Sequence, residues 1–206
     1  MSRVEHLLPL GAWGMFLGLA LKGWVQSPGV APALLVLFHG LVLWLLARRP
    51  GPRARGHAFG TLPAVLGTCL PLAFRPSMPG EGWWPPTPWI LATGAMVQVV
   101  ALILMLASAW SLGHCFGIRP ACRGLVTQGP YAVIRHPLYL AEVMCAGGLW
   151  LVHPTVRNSL VLVVLGLLLA LRARLEEEVL GEHPGWENYR RKVPALPGAP
   201  TYRSVP

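Results

Sequence analysis

Residues 125–139, with the sequence LVTQGPYAVIRHPLY, decide the fold, because they place polar, cationic and aromatic side chains between two long apolar segments. Pro137 lacks an N–H and disfavours the α conformation at His136, so the residues before it are predicted to form a loop. Pro137 itself suits the first position of a helix. We therefore predict that Tyr131, Arg135 and His136 converge at the mouth of a membrane helix that begins at Pro137.

The composition indicates a membrane protein. The chain has 206 residues, of which 54% are hydrophobic and 12% are charged, against about 25% charged in an average soluble domain. The net charge of +9 does not indicate nucleic acid, because the basic residues lie between apolar segments and not on one soluble face. The chain lacks Asp, and its four cysteines show no C-x-x-C spacing, so we predict a bilayer environment, no nucleic-acid partner and no metal site.

Six apolar segments approach the length of about 20 residues that a membrane helix needs. They cover residues 7–25, 29–47, 58–74, 89–110, 137–152 and 156–171. The third segment is interrupted by Pro63 and Pro71, and it is either a full span or a broken helix. The last two segments form a helical hairpin because only three residues join them. The predicted fold is all-α and polytopic, with five to six transmembrane helices.

The basic residues predict the orientation in the membrane. With six spans, 14 of the 17 Lys and Arg residues fall on one side, which by the positive-inside rule is the cytosol. Both termini and the loop at 111–136 are then cytosolic, and the short chain suits a bacterial inner membrane. We divide the chain into N-terminal transmembrane helices at 1–110 and a catalytic region at 111–206.

A second polar cluster, residues 172–178, follows the last apolar segment at the same predicted surface. Its carboxylates can accept hydrogen bonds from ribose hydroxyls or an ammonium group, and its guanidinium groups can bind a carboxylate. S-adenosylmethionine carries all of these groups, and aromatic faces attract its cationic sulfonium. From the residues alone, a solvated helix surface of i,i+4 ion pairs is the favoured alternative. Glu142 lies inside a membrane helix, where an ionisable residue is either functional or paired for structure.

Four motifs in residues 111–194 resemble the isoprenylcysteine carboxyl methyltransferase family of integral-membrane enzymes, which is related to the phospholipid N-methyltransferases. The motifs are LVTxGPY at 125–131, RHPxY at 135–139, RxxxEExxL at 172–180, and residues 185–189 followed by Val193 and Pro194. The chain departs from the family at Arg123, where eukaryotic members carry His, and at Ala141, where Gly is usual. The first four apolar segments carry no recognisable substrate signature, so prenylcysteine specificity does not transfer.

The resemblance implies an S-adenosylmethionine-dependent methyltransferase with a lipophilic small molecule or a lipid as acceptor, methylated on a carboxylate, thiol or amine. It implies that Arg172 is the catalytic residue that orients the acceptor, and we add Arg135 and Glu142 as substrate-binding candidates. The implied cofactor-binding residues are Leu125, Val126, Tyr131, His136, Pro137, Leu138, Tyr139, Glu176 and Glu177.

Two other functions remain open from the sequence. Membrane reductases of the sterol-reductase type carry a similar Arg-His-Pro-x-Tyr element and use NADPH, although they generally have Asn where this chain has Leu138. A non-catalytic membrane scaffold or a small transporter is the third alternative.

Overall fold

The computed structural model describes residues 3–48, 54–55, 61–78, 80–116, 121–122 and 124–199. Within these ranges the chain is helical apart from one pair of two-residue strands. The helices are α1 (Arg3–Gln26), α2 (Val30–Arg48), α3 (Thr61–Cys69), α4 (Pro88–Leu112), α5 (Pro137–Val152), α6 (Val156–Leu180) and α7 (Trp186–Lys192). Each predicted apolar segment overlaps a helix in the described residues, so the all-α prediction is confirmed.

Three helices in the described part of the chain are long and apolar enough to cross a membrane. They are α2, α4 with its 3₁₀ continuation (Pro88–Cys115), and α6. Helix α5 is apolar but has only 16 residues, or about 24 Å of rise. The protein is therefore a membrane protein, and the number of six spans stays a prediction.

The third apolar segment is a broken helix in the structure. Helix α3 has nine residues, a rise of about 14 Å, and it continues only as the 3₁₀ turn Leu70–Ala73. Pro71 lies in that turn and cannot donate the hydrogen bond that would extend α3. The described part of the segment thus favours the second of the two predicted alternatives.

Helices α4 and α5 approach each other closely through glycine. A Cβ added at Gly94 would lie 2.5 Å from Val152 Cγ2 and 2.9 Å from the carbonyl oxygen of Gly148. A Cβ at Gly148 would in turn lie 2.8 Å from the carbonyl oxygen of Gly94. Small residues at such a crossing let two membrane helices pack backbone to backbone, and this fixes α5, which begins within the motif at 135–139.

The connections gather at two ends of the helix assembly. At one end, the segment before α4 covers the α5–α6 turn: Trp83 N donates to the Pro154 oxygen, and Asn158 exchanges hydrogen bonds with the backbone of Arg75. At the opposite end, β1 (Ala54–Arg55) pairs antiparallel with β2 (Ala121–Cys122). The loop before α5 and the segment after α6 lie at this second end, whereas the orientation of the helices in the membrane stays a prediction.

Candidate functional site

The loop that enters α5 has the conformation expected from its sequence. Gly129 has φ +60°, and a side chain there would collide with Ser111 Oγ, so glycine is needed both for the turn and for the close approach to α4. Residues Gly129–Ala132 form a 3₁₀ turn. Pro137 is the first residue of α5, and His136 before it is not helical, with φ −123° and ψ 55°.

Arg135 joins three separate parts of the chain. Its Nε lies 2.9 Å from Glu177 Oε1 on α6, and its terminal nitrogen donates to the carbonyl oxygens of Arg190 (3.1 Å) and Val193 (2.7 Å). Its backbone N–H also donates to the oxygen of Pro194. The observed contacts of Arg135 therefore hold residues 181–199, which we call the C-terminal segment, against the loop and α6. The substrate-binding role predicted for Arg135 stays a prediction.

His136 shares the same carboxylate. Its Nε2 lies 2.8 Å from Glu177 Oε1, and its ring stacks on that of Tyr139 with the centroids 5.6 Å apart. The His136 side chain is buried. Glu177 Oε1 therefore contacts both Arg135 and His136. These two contacts anchor the start of α5 to the end of α6.

A second carboxylate lies beside the first. The hydroxyl of Tyr139 donates to Glu176 Oε1, and Arg172 Nε lies 3.7 Å from the same oxygen. The Arg172 guanidinium also lies over the Tyr139 ring, 5.0 Å from its centroid. Arg172 is only 6% exposed, and burial at this level requires charged partners. Tyr139, Glu176 and Arg172 therefore form one connected polar group between α5 and α6.

The C-terminal helix α7 closes the site from the outside. The hydroxyl of Tyr189 donates to the carbonyl oxygen of Tyr131 at 2.7 Å, and Trp186 packs beside Tyr189. Burial raises the pKa of Tyr189 to about 12, with the negative charge of Glu177 adding to the effect. Burial likewise raises the pKa of Tyr131 well above its ordinary value. Both phenols are therefore neutral hydrogen-bonding groups at physiological pH.

These groups surround a cavity of about 100 Å³, which we call the polar cavity. The predicted site residues in its wall are Leu125, Val126, Tyr131, Arg135, His136, Leu138, Tyr139, Arg172 and Glu176. Two predicted cofactor-binding residues are not in the wall. Pro137 is fully buried, and Glu177 contacts Arg135 and His136, which are in the wall. Trp186 and Tyr189 are in the wall although they were not among the predicted site residues. Both residues lie within the motif at 185–189, which was the sequence feature that could have identified them.

A second and larger cavity of about 470 Å³, the apolar cavity, lies between the helices. Residues of α1, α2, α4 and α5 form most of its wall, and Glu142 and Arg172 are the two charged residues in it. Phe116, Leu138 and Arg172 belong to the walls of both cavities. Arg172 therefore stands between a polar compartment and an apolar one, and Glu142 stands only in the apolar one.

Among the residues that the structure describes, no group of three His, Cys, Asp or Glu side chains is arranged to hold a metal ion. Arg123, one of the two departures from the family motifs, lies outside the described residues. The second, Ala141, is fully buried in α5.

Comparison with known proteins identifies the region that carries the site. The model of the phospholipid methyltransferase family matches residues 88–184, just under half of the chain. No curated protein and no solved structure gives a significant match. The matched region extends from the start of α4 to just beyond α6 and is similar to the integral-membrane methyltransferases of this family. That family is related to the isoprenylcysteine carboxyl methyltransferases, so the resemblance stated from the motifs is confirmed.

Proposed function

We propose that the protein transfers a methyl group from S-adenosylmethionine, bound in the polar cavity, to a lipophilic acceptor bound in the apolar cavity. The observation that carries this proposal is the position of Arg172 in the walls of both cavities. A reaction between a water-soluble cofactor and a membrane-soluble acceptor requires one compartment of each kind and a shared wall.

The groups in the polar cavity fit the cofactor. Glu176 offers a carboxylate for ribose hydroxyls or the amino group, and Tyr139 already fixes that carboxylate by a hydrogen bond. Trp186 and Tyr131 are aromatic side chains in the wall and are suited to contact an adenine ring and a sulfonium. When bound, S-adenosylmethionine supplies an electrophilic methyl group whose transfer neutralises the sulfonium.

The polar cavity must widen to hold the cofactor. Its volume of about 100 Å³ is below the 300–1,000 Å³ of typical sites for ligands of drug size. Trp186 and Tyr189 form the part of the wall that belongs to the C-terminal segment. This segment is held at Arg135 and Tyr131 by hydrogen bonds, and we propose that its displacement admits the cofactor.

Arg172 and Glu142 set the chemistry of the acceptor end. A carboxylate or thiolate acceptor would be held and oriented by the Arg172 guanidinium, and an amine acceptor would be held by the Glu142 carboxylate, which can also take the proton lost after methylation. Holding the reacting atoms in line in a site without water supplies much of the rate acceleration. In this proposal the polar cavity opens to the cytosol of a bacterial cell, in keeping with the distribution of Lys and Arg.

The test is methyl transfer by the purified protein in lipid nanodiscs. Labelled S-adenosylmethionine is supplied with hexadecanoate, hexadecanethiol or hexadecylamine, and we expect label to enter one of the three. The Arg172→Lys variant should lose most of this transfer, because an ammonium cannot reproduce the planar fork of the guanidinium. Arg174→Lys, on the exposed face of the same helix, is the matched control. Absence of transfer to every acceptor, or equal transfer by the two variants, would reject the proposal.

A further inference from the structure

Two polar atoms in the wall of the apolar cavity lack hydrogen-bond partners. Trp13 Nε1 on α1 and His39 Nδ1 on α2 are both buried, and neither has a partner among the residues that the structure describes. Both side chains line the apolar cavity. A buried polar group without a partner is costly, more so in a hydrocarbon environment, and it needs an explanation.

The two side chains are held together by neighbouring aromatic rings. The centroids of Trp13 and His39 are 5.8 Å apart, and Phe16 stacks on His39 with an interplanar angle of 14°. The Phe38 ring also contacts this cluster, with its centroid 5.4 Å from that of His39. The rings therefore fix the indole and the imidazole in the same part of the wall.

This pair lies far from the ends of its two helices. Trp13 follows the start of α1 by ten residues and His39 precedes the end of α2 by nine, which places each about 15 Å from a helix end. Both residues lie outside the region 88–184 that matches the methyltransferase family. The family chemistry therefore does not account for them.

We propose that Trp13 and His39 form a second binding site within the apolar cavity, which takes a carbonyl oxygen in the bilayer-embedded part of the acceptor. The indole N–H can only donate, a neutral imidazole can donate from Nδ1, and a carbonyl oxygen has two lone pairs that accept both bonds. The acceptor class is then an amphiphile with its reactive group at Arg172 and a ketone or ester carbonyl farther along its apolar chain. This inference rests on the proposed function, since it assigns the apolar cavity to the methyl acceptor.

The first test does not depend on methyl transfer. Nanodiscs containing the protein are loaded with 7-tridecanone labelled with ¹³C at the carbonyl, and the carbonyl stretch is recorded by infrared difference spectroscopy without cofactor. We expect a low-frequency band from a hydrogen-bonded carbonyl, saturating with added ketone, beside the band of ketone in lipid. The Trp13→Phe/His39→Phe variant, which keeps aromatic rings at both positions, should lose the low-frequency band.

The control is Trp24→Phe, because Trp24 is on the same helix but is 41% exposed and does not line the cavity. Circular dichroism and gel filtration establish that each variant is folded. A low-frequency band that is absent from the wild type, or that persists in the double variant, would overturn the proposed carbonyl site.

The second test joins the site to the reaction. Whichever acceptor is methylated is compared with an analogue that has a mid-chain ketone. We expect the ketone to lower KM about tenfold in the wild type, as two hydrogen bonds of modest net strength would, and to have no effect in the double variant. Equal KM values for both acceptors in the wild type would contradict the assignment to the methyl acceptor. A saturable carbonyl band in a protein that methylates nothing would reject the proposed function but leave the carbonyl site standing.

Discussion

Replacement of Arg135 tests what holds the C-terminal segment over the polar cavity. In Arg135→Met, the segment loses the hydrogen bonds to the carbonyl oxygens of Arg190 and Val193, and Glu177 loses one of its two hydrogen-bond partners at Oε1. Bonds of this kind, with a charged donor, contribute about 1.5–3 kcal/mol each. The freed carbonyls can reach water when the segment opens, and Glu177 keeps His136, so we expect a net loss of about 3 kcal/mol, below the sum of the individual bonds.

The assay is amide hydrogen exchange of α7. A helix of seven residues is too short to persist without tertiary contacts, so its amides report local opening of the segment. A loss of about 3 kcal/mol corresponds to exchange about 100-fold faster. In Arg135→Lys the α7 amides should exchange about tenfold faster than in the wild type, between the rates of the wild type and Arg135→Met. One ammonium cannot reach the same three acceptors in the guanidinium geometry.

The matched control is Arg191→Met. Arg191 is 51% exposed and pairs with Glu187, four residues earlier in α7, and a surface pair of this type contributes at most about 1 kcal/mol. Unchanged exchange of α7 in Arg135→Met would refute the holding role. It would favour instead the substrate-binding role predicted for Arg135 from the sequence.

Three further changes test the packing and the electrostatics. Gly94→Ala should destabilise the protein by about 1–3 kcal/mol through overpacking at the α4–α5 crossing, whereas Gly147→Ala, with no atom within 4 Å of the new Cβ, should not; thermal unfolding in nanodiscs compares them, and equal melting temperatures would contradict the close crossing. Asn158→Leu should cost about 3 kcal/mol, because the backbone groups that its fully buried amide now binds lose their partners; the same assay checks it, and a neutral result would contradict this anchoring. The pKa of Tyr189 is raised to about 12 in the folded protein, so the folded state holds the phenol proton more tightly than the unfolded state does. The stability of the wild type should therefore fall between pH 10 and 12 relative to that of Tyr189→Phe. Parallel alkaline unfolding profiles of the two proteins would contradict this prediction.

The sequence predicted the helices and nine of the residues in the wall of the polar cavity because both have local signals. Apolar length identifies membrane helices, and Pro137 fixes the start of α5. The motifs at 125–139 and 172–180 place their side chains on α5, on α6 and on the loop between α4 and α5, and these elements meet in the polar cavity.

The apolar cavity could not be predicted in the same way. A lipid-facing surface and a protein-facing surface are both apolar in a membrane helix, so the amphipathic pattern that identifies the buried face of a soluble helix is missing. Nothing local to Trp13 or His39 shows that α1 and α2 meet Glu142 and Arg172 around one cavity. The contacts of Arg135 were missed for a similar reason, since its partners lie more than forty residues away in the chain.

The most direct test of the account is a calorimetric titration of the purified protein with S-adenosylhomocysteine. We predict saturable binding to the wild type and to Glu178→Gln, an exposed neighbour on α6, and a loss of binding in Glu176→Ala, which removes the carboxylate that Tyr139 and Arg172 hold in the wall of the polar cavity. No binding to the folded wild type, or equal binding to Glu176→Ala, would contradict the assignment of this cavity to the methyl donor.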